Sequence, residues 1–410
     1  MNVPKLRFGE FNKEWKCKNL GDIAQFSKGK GIAKADISTD GQFECIRYGE
    51  LYTHYKETIK QVISRTNLSA DELVFSDAND VIIPASGETQ LDIATASCVL
   101  KKGVALGGDL NIIKSDANGV FLSYYLNNAK KQSIANIAQG ISVVHLYASQ
   151  LKTLELNVPE PDEQQKIADF LSAVDDKITA LTAQKTALTQ YKQGMMQCIF
   201  AQTLRFKDDN GADYPEWRYS TISELSINGF SNGVFNDPKK VGSGYRLINV
   251  KDMYVKGSID PTTLFKVDID PSEFEKNKVL YGDIFFTRSS LVKEGIAYSN
   301  VFLKHDEDVT FDGHLIRMRP DLANTSPKFL YYLFKTDNVR NQFIARGKTA
   351  TMTTIGQADI AQVQINIPDL SEQQKIAQFL TELDEKINAV DAQIQSAQQW
   401  KQGLLQQMFI

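Results

Sequence analysis

The sequence contains few of the residues that mark a metal centre, a disulfide framework or a membrane span. Its 410 residues include only four cysteines and four histidines. Since no two cysteines form a CxxC pair, the pattern argues against a zinc cage or a disulfide scaffold and favours a reducing cytoplasm. No apolar run approaches the roughly 18 residues of a membrane helix, and the N-terminus lacks the apolar core of a secretory signal.

An excess of charge of one sign is also missing. The 46 basic and 50 acidic side chains give a formal net charge of −4. The composition therefore gives no expectation of nucleic-acid binding, and any DNA-binding face must be a local patch. The length predicts two or three domains with their own cores, and a hydrophobic content of 42% is ordinary for globular proteins.

Catalytic motifs are absent as well. No glycine-rich loop of the AdoMet-binding type follows a predicted strand, and no Asn-Pro-Pro-aromatic tetrapeptide occurs. Gly347-Lys348-Thr349 looks like the end of a phosphate-binding loop, but Gln342 stands where such a loop requires its first glycine. The histidines show no metal-ligand spacing. The sequence thus predicts a protein without a catalytic or metal site of its own.

What the chain does contain is an internal duplication. Residues 157–200 and 366–409 align without a gap, and about 22 of the 44 positions are identical. Two segments are therefore alike while the segments between them have diverged, which suggests a common scaffold that presents two recognition surfaces. Shorter matches precede each copy and pair IRYGELY at 46–52 with INVKDMY at 248–254, and Tyr124-Tyr125-Leu126 with Tyr331-Tyr332-Leu333.

Each copy predicts a long helix that begins just after a proline, Pro159 or Pro368. Apolar residues recur with a period of 3.5 over about five heptads, which is typical of a coiled-coil seam. We expect the two helices to pair antiparallel; the alternative is two unrelated surface helices that dock on their own domains. The predicted seam and partner residues are Ile167, Leu171, Val174, Ile178, Leu181, Leu188, Ile376, Leu380, Leu383, Ile387, Val390 and Ile394.

The rest of the chain contains β-branched and aromatic stretches between glycine- and asparagine-rich turns, with a helical stretch near the end of each segment. The predicted fold class is α+β (mixed α/β): two globular domains joined by two long antiparallel coiled-coil helices in a pseudo-twofold duplication. The predicted globular domains are 1–158 and 204–367, and the predicted helical segments are 159–203 and 368–410.

Several motifs of the sequence are distinctive: EQQKIA-x-FL in both helices, Asp175/Asp384 and Lys177/Lys386, the closing KQG segments, the linker from Arg205 to Trp217, and GDIFFTRS at 282–289. With these motifs, the organisation resembles the DNA-specificity subunit of type I restriction–modification systems. The first domain departs from the family pattern, because Asn79-Asp80-Val81 stands for Gly-Asp-Ile and Pro84-Ala85-Ser86-Gly87 stands for Thr-Arg-Ser-Ser.

The resemblance implies that each globular domain is a target recognition domain for one half of a split, asymmetric target in double-stranded DNA. The helices would set the spacer between the halves and carry two methyltransferase subunits, which bind AdoMet and methylate adenine. ATP-driven restriction and translocation subunits would attach to that core. AdoMet, ATP and Mg²⁺ are then expected in the partners and no cofactor in this chain, which would be a non-catalytic cytoplasmic subunit with no membrane contact.

Base-reading residues are expected among polar side chains on loops, because these match the edges of bases in the major groove. Lysines beside glycines are expected to contact phosphates, and the tyrosine pairs to pack in the core. The predicted DNA-binding residues of the first domain are Lys28, Lys30, Lys34, Arg47, Tyr48, Ser86, Gly87, Glu88, Thr89 and His145. Those of the second are Asn249, Lys251, Arg288, Ser289, Ser290, Arg346, Lys348 and Thr349.

Two alternatives remain open at this point. One is a specificity subunit that serves an enzyme in which restriction and methylation are fused in one partner chain. The other is a coiled-coil assembly scaffold whose globular domains bind proteins rather than DNA.

Overall fold

The chain folds into two compact units in this computed structural model. The first unit comprises the chain up to Ala183 together with Asp391–Ile410, and the second comprises Gln184–Val390. The division passes through both long helices, Pro161–Phe200 and Leu370–Met408, so each unit holds the start of one helix and the end of the other. None of the described helices is long and apolar enough to cross a membrane. The described residues are 3–140, 143–235, 240–305 and 308–410.

The first unit is layered around a five-stranded sheet. Alternation in the strand Asp80–Pro84 sends Ile82 to one face, against the smaller three-stranded sheet, and Val81 and Ile83 to the other, against helices. In spatial order the large sheet consists of Ala24–Lys28, Leu110–Ser115, Asp80–Pro84, Ser97–Val99 and Thr58–Ile59, and the small one of Ser64–Thr66, Phe43–Ile46 and Ala105–Leu106. Two-stranded pairs join Lys16–Asn19 to Glu155–Val158 and Ser86–Gly87 to Val144–His145. The helices are Leu20–Ile23, Glu50–Thr53, Gln90–Ile93, Gly119–Asn127, Lys131–Ile137 and Ala148–Lys152.

The second unit repeats this plan with a four-stranded sheet. Phe285 faces the smaller sheet, and Ile284 and Phe286 face the helices. The large sheet consists of Ser226–Asn232, Leu315–Pro320, Ile284–Thr287 and Ser299–Val301, and the small one of Lys266–Val267, Val241–Ile248 and Val309–Phe311. Arg218–Thr221 pairs with Gln364–Ile367, and a ribbon is formed by Ser289–Ser290, Thr353–Thr354 and Lys348–Thr349. The helices are Pro271–Asn277, Pro327–Leu333, Asp337–Arg346 and Gln357–Ala361.

Where the second domain has Gly-Asp-Ile, the first has Asn79 in place of the glycine, yet the backbone conformation at the two positions is the same. Asn79 takes a φ of 80° where the equivalent Gly282 has 90°, and asparagine tolerates this left-handed region better than most residues. The following aspartates, Asp80 and Asp283, each accept a hydrogen bond from the backbone N–H three residues earlier, at 2.8 and 2.9 Å. The duplication therefore extends into the globular parts as a shared fold.

The predicted seam residues at the start of each helix are buried against the globular part of the same unit. In the first unit, Ile167 and Leu171 join a core that includes Trp15 and Phe121. The last turns of the second helix join the same core through Met408 and Phe409. The backbone N–H of Leu6 donates to the Gln407 carbonyl at 2.9 Å, and the Tyr125 hydroxyl donates to that of Ile410 at 2.6 Å.

The second unit has the same arrangement, in which Ile376, Leu380 and Leu383 pack with Phe329 and with Ile199 from the end of the first helix. The start of each helix thus packs both on its own globular part and on the end of the other helix. The antiparallel pairing is confirmed, and the docking of each helix on its own domain, which we had set against it, occurs as well. Val174, Ile178, Val390 and Ile394 are buried, whereas Leu181, Leu188 and Ile387 are half-buried.

A buried glutamate at the start of each helix holds the segment that precedes the globular part. Glu163 accepts hydrogen bonds from Arg7 Nε at 2.7 Å and from Trp15 Nε1 at 3.2 Å. In the second unit, Glu372 accepts from Arg205 and Trp217 in the same way, at 2.8 and 3.1 Å. The negative charge also lies in the first turn of each helix, where the helix dipole favours it. These contacts explain why Leu6-Arg7-Phe8 and Glu14-Trp15 recur as Leu204-Arg205-Phe206 and Glu216-Trp217 in the second half of the sequence.

A second duplicated cluster links the two helices to each other. In the second unit, Lys192 of the first helix pairs with Asp384 of the second at 2.6 Å. The Tyr332 hydroxyl donates to the same carboxylate at 2.8 Å, and the lysine lies over the Tyr332 ring, 5.1 Å from its centroid. Burial, together with the Asp384 carboxylate, raises the pKa of Tyr332. The tyrosine hydroxyl thus stays protonated and donates to the aspartate.

The first unit contains the same cluster with the roles of the helices exchanged. Lys401 of the second helix pairs with Asp175 of the first at 2.8 Å and lies 5.2 Å from the ring centroid of Tyr124, whose hydroxyl donates to Asp175. Going from Asp175 to Lys192 advances 17 residues along the first helix, and going from Lys401 to Asp384 retreats 17 along the second. One antiparallel register therefore satisfies both ion pairs.

These clusters correct our alignment of the tyrosine pairs. Tyr124 corresponds to Tyr332, not to Tyr331, because the interval from tyrosine to aspartate is 51 residues in the first unit and 52 in the second. The expectation that the pairs pack in the core is otherwise confirmed: Tyr124, Tyr125 and Tyr332 are buried. Tyr331 is half-buried beneath Lys335, whose Nζ lies 3.6 Å from the ring centroid.

We expect Asp384→Asn to lower the free energy of unfolding by about 1–2 kcal/mol, because Lys192 loses its charged partner while Tyr332 keeps an acceptor. Urea unfolding followed by circular dichroism measures this. Glu385→Gln, an exposed neighbour on the same helix, is the matched control and should have little effect. A double-mutant cycle with Lys192→Met should give a coupling energy of about 1 kcal/mol; additive effects would contradict the pairing.

Candidate nucleic-acid interface

The first unit brings several of the predicted residues together at the short strand Ser86–Gly87. This strand pairs with Val144–His145, so that Ser86 lies opposite His145. The Tyr52 hydroxyl donates to the Ser86 carbonyl at 2.9 Å and connects the strand to the turn that carries Arg47 and Tyr48. The rings of Tyr48 and Tyr52 lie 6.3 Å apart, edge to face.

Beside His145 lies an aromatic residue that was not among the predicted DNA-binding residues. Tyr147 is 45% exposed, and its ring is stacked with that of His145 at 6.1 Å. Lys28, at the end of a strand of the large sheet, lies with Nζ 5.8 Å from the Tyr147 ring centroid. The signal was the spacing: Tyr147 follows His145 by two residues and so points to the same side of an extended chain. We call Lys28, Arg47, Tyr48, Ser86, His145 and Tyr147 the first reading face, after the DNA-reading role that the sequence predicts for all of them except Tyr147.

A cleft of about 650 Å³ continues this face and is lined by Lys34, Arg47 and Tyr48 among others. Arg47 Nε lies 3.5 Å from Glu50 Oε1 and is buried without a hydrogen-bond acceptor among the described residues. The ion pair therefore has charge attraction but poor hydrogen-bond geometry. Glu50 is itself held by the Ser64 hydroxyl at 2.7 Å, so the acidic side of the pair is fixed.

Three further predicted residues differ in whether their side chains already form hydrogen bonds within the unit. The Lys30 ammonium donates to the Asp71 carbonyl at 2.9 Å. Thr89 caps the helix Gln90–Ile93, since its hydroxyl accepts from the Asp92 N–H at 3.1 Å. Glu88 is exposed at the tip of the strand pair. The side chains of Lys30 and Thr89 are thus already engaged in hydrogen bonds within the unit, whereas the Glu88 side chain is exposed to solvent.

In the second unit the predicted residues gather on the three-stranded ribbon. Ser289 pairs with Thr354, which pairs with Lys348. The Arg288 backbone is clamped on both sides: its N–H donates to the His314 carbonyl and its carbonyl accepts from the Ile355 N–H, each at 3.0 Å. Its side chain is exposed and has no ion-pair or hydrogen-bond partner in the part of the chain that the structure describes.

The remaining predicted residues of this unit differ in how far they are engaged. Arg346 donates to the Gln342 and Gln362 carbonyls at 3.4 and 3.2 Å, which ties its guanidinium to the end of a helix. Asn249 is half-buried at the end of the strand Val241–Ile248. The Thr349 hydroxyl forms a hydrogen bond with that of Thr353 at 2.9 Å. Lys348 lies 3.8 Å from Asp359, and Lys251 Nζ lies 5.4 Å from the Phe265 ring centroid.

We call Asn249, Lys251, Arg288, Ser289, Ser290, Lys348 and Thr349 the second reading face.

The two faces occupy equivalent places on the shared fold and carry different side chains. The backbone N–H of Arg47 donates to the side chain of Glu50, as that of Asn249 does to Asp252, so these two positions correspond. Ala85, whose carbonyl accepts from the Leu146 N–H at 3.0 Å, corresponds to Arg288. One fold therefore offers two sets of hydrogen-bonding groups.

Comparison with known proteins identifies the class. The sequence model of the type I restriction modification DNA specificity domain matches residues 12–190 and again residues 214–397. Because the two matches cover most of the chain, it belongs to the type I restriction–modification DNA-specificity family. Its function is DNA target recognition within a restriction–modification complex.

Named relatives agree with this assignment. The chain is 20% identical to the type I restriction enzyme EcoKI specificity subunit of Escherichia coli K12 over 87% of this chain and 79% of that protein. It is 24% identical to the MjaIX specificity subunit of Methanocaldococcus jannaschii over 97% and 93%. The fold matches the S subunit of a type I system from M. genitalium with a TM-score of 0.61 at 15% identity, covering 100% of this chain and 99% of that one. It also matches a chain from a study of complex assembly and conformational transition in the type I system, with a TM-score of 0.54 at 16% identity, over 95% and 96%.

We predict that Arg288→Ala weakens specific DNA binding by about 1–3 kcal/mol, because a clamped backbone presents an unpaired guanidinium. A gel-shift titration against the cognate duplex measures this. Arg218→Ala removes an exposed arginine of the same unit from outside the reading face and should leave binding unchanged. Equal affinities of Arg288→Ala and wild type would show that Arg288 is misplaced in the interface.

Proposed function

We propose that each unit reads one half of a bipartite, asymmetric DNA target, the first through the first reading face and the second through the second. The observation that carries this is the divergence of side chains at equivalent positions of a shared fold, as at Arg47 and Asn249 or Ala85 and Arg288. If both units read the same bases, nothing would favour such differences. A target with two unlike halves follows from two unlike faces.

The side chains on the faces fit contacts to double-stranded DNA. An arginine such as Arg288 can donate two hydrogen bonds to guanine O6 and N7, and an asparagine such as Asn249 can bond adenine N6 and N7. Lysines such as Lys28 and Lys34 suit phosphates, which fix the register of the protein on the duplex. Local cations of this kind allow DNA binding despite the net charge of −4.

The exposed surface of the two helices carries a repeated pattern of residues, which fits the binding of two copies of one partner. Several exposed residues recur at the same offset of 209 residues: Lys177 and Lys386, Gln193 and Gln402, and Tyr191 and Trp400, which are each 52% exposed. Two retained copies of an exposed pattern fit two identical docking sites. We assign these sites to two adenine methyltransferase subunits.

A groove in the first unit shows what such a site offers. It has a volume of about 420 Å³ and is lined by Val174, Lys177, Leu181, Ala397 and Trp400 among others. Phe170 packs edge to face against Trp400 with centroids 5.8 Å apart. A partner helix with acidic side chains could bury this aromatic surface and place those side chains beside Lys177.

In this proposal the chain supplies recognition and its partners supply the chemistry. The methyltransferase subunits bind AdoMet, and restriction subunits use ATP and Mg²⁺ to translocate and cleave DNA. The recognition domains are 1–158 and 204–367, the helices in 159–203 and 368–410 hold the subunits, and the complex works in the cytoplasm.

Co-expression with the neighbouring methyltransferase gene, followed by sequencing of host DNA for N6-methyladenine, tests the proposal. We expect one split motif with a fixed spacer and an adenine in each half. Association of the methyltransferase without motif-specific methylation would contradict DNA reading by these faces. If the methyltransferase does not associate, the chain is an assembly scaffold for other proteins, and if the partner chain both cleaves and methylates, the system is of the fused kind.

We expect Trp400→Ala to reduce the number of bound methyltransferase subunits from two to one, because only one of two duplicated sites loses its aromatic residue. Native mass spectrometry of the co-purified complex measures this, and Trp400→Ala with Tyr191→Ala should leave none. Tyr219→Ala, which removes a tyrosine that is 64% exposed on a globular part, is the control. Two subunits retained on the double variant would contradict this docking surface.

A further inference from the structure

The second reading face ends in an exposed apolar tip. Leu291 is 85% exposed and Val292 is 61% exposed, directly after Ser289–Ser290. Met352, in the turn between the other two strands of the ribbon, is 38% exposed. Exposed apolar side chains grouped in this way have no role in the core of the unit, and such groups usually mark a contact surface.

The ribbon determines how these residues are placed. Ser290 pairs with Thr353, and because the strands are antiparallel, Leu291 after Ser290 and Met352 before Thr353 leave the ribbon at the same end. The turn is ordered by its own hydrogen bonds: the Val292 N–H donates to the Ser290 hydroxyl at 3.3 Å, and the Gly295 N–H donates to the Val292 carbonyl at 3.1 Å. Leu291 is therefore presented on a fixed turn rather than on a loose loop.

Polar and cationic residues surround the tip on the same ribbon. Arg288 precedes it by three residues, and Lys348, with a side chain that is 80% exposed, lies two strands away. Arg288 has no ion-pair or hydrogen-bond partner among the described residues, and Lys348 has only a long contact of 3.8 Å to Asp359, so positive charge is available beside the tip, as a contact with DNA requires. An apolar group within a cationic, hydroxyl-bearing face fits the edge of a base pair beside phosphates.

The equivalent position of the first unit has different chemistry. Gly87 pairs with Val144 as Ser290 pairs with Thr353, so Glu88 stands where the second unit has Leu291. A glutamate can accept a hydrogen bond from the amino group of cytosine, whereas an aliphatic side chain can contact only an apolar group. The one apolar group that a base pair presents in the major groove is the 5-methyl of thymine.

We propose that Leu291 is a specificity-determining residue of the second unit, which packs against the 5-methyl group of a thymine in the second half of the target. This inference rests on the proposed function, because it requires that the second reading face lies in the groove of DNA. Val292 and Met352 shield the contact from water. The apolar contact excludes cytosine and guanine at that position by leaving their polar groups without a partner.

The test combines a protein change with a single-methyl change in the DNA. The complex of the chain with its methyltransferase is titrated with the duplex found by methylation mapping and with duplexes in which each thymine of the second half is replaced in turn by deoxyuridine. We expect one replacement to weaken wild-type binding about tenfold. Leu291→Ala should weaken binding to the thymine duplex by a similar factor and should not distinguish thymine from deoxyuridine at that position.

Leu322→Ala is the matched control, since Leu322 is 46% exposed and lies beside Gly282, at the opposite end of the strand from Arg288. It should bind like the wild type and still prefer thymine. The proposal would be overturned if Leu291→Ala bound the thymine duplex with wild-type affinity. It would also be overturned if the wild type bound every deoxyuridine duplex as tightly as the thymine duplex. A change in self-association without a change in DNA affinity would assign the tip to a protein contact.

The mapping step keeps the two proposals apart. If no split motif is methylated, the proposed function has failed before Leu291 is tested. If a split motif is found and Leu291→Ala discriminates thymine as the wild type does, the proposed function stands and the role of Leu291 is refuted.

Discussion

The ion pair between a buried glutamate and an arginine at the start of each long helix is the contact on which both units depend. Glu163 is 1% exposed and Glu372 is fully buried, so each needs its arginine and tryptophan donors to offset the cost of desolvation. Because these donors precede the globular part and the carboxylate follows it, one interaction closes the whole recognition domain. The helix can then leave each domain in a fixed direction, which any spacing function requires.

The same duplicated framework leaves the side chains of the two proposed reading faces free to change. Backbone clamps hold Arg288 and the equivalent Ala85 by main-chain hydrogen bonds that do not involve their side chains. Asn79 in place of Gly282 shows the complementary case, in which a side chain changes and a demanding backbone conformation persists. Positions fixed by main-chain bonds can accept new side chains at little cost in stability. Recognition can therefore diverge without loss of the fold.

Much of this could be predicted from the sequence, because the duplication and the heptad period are strong, long-range signals. The antiparallel pairing, the mixed α/β domains and the buried tyrosines followed from them. The one-residue difference that moves Tyr331 out of register with Tyr124 did not, since it lies between matched segments where no motif fixes the alignment. The hydrogen bonds of individual side chains could not be predicted either. Arg346 looks free to contact DNA in the sequence, but its guanidinium donates to two backbone carbonyls. Leu291 was passed over because an apolar residue suggests a core position until its exposure is known.

The participation of Asp391–Ile410 in the first unit determines when the core of that unit can be completed. The whole of Gln184–Val390 is synthesised before the turns with Met408 and Phe409, which complete the core around Trp15. The globular part of the first unit therefore emerges first, but its core is complete only after Met408 and Phe409 have been made. Until then its apolar surface for those turns is uncovered, and any chaperone or partner subunit would meet the nascent chain in that state.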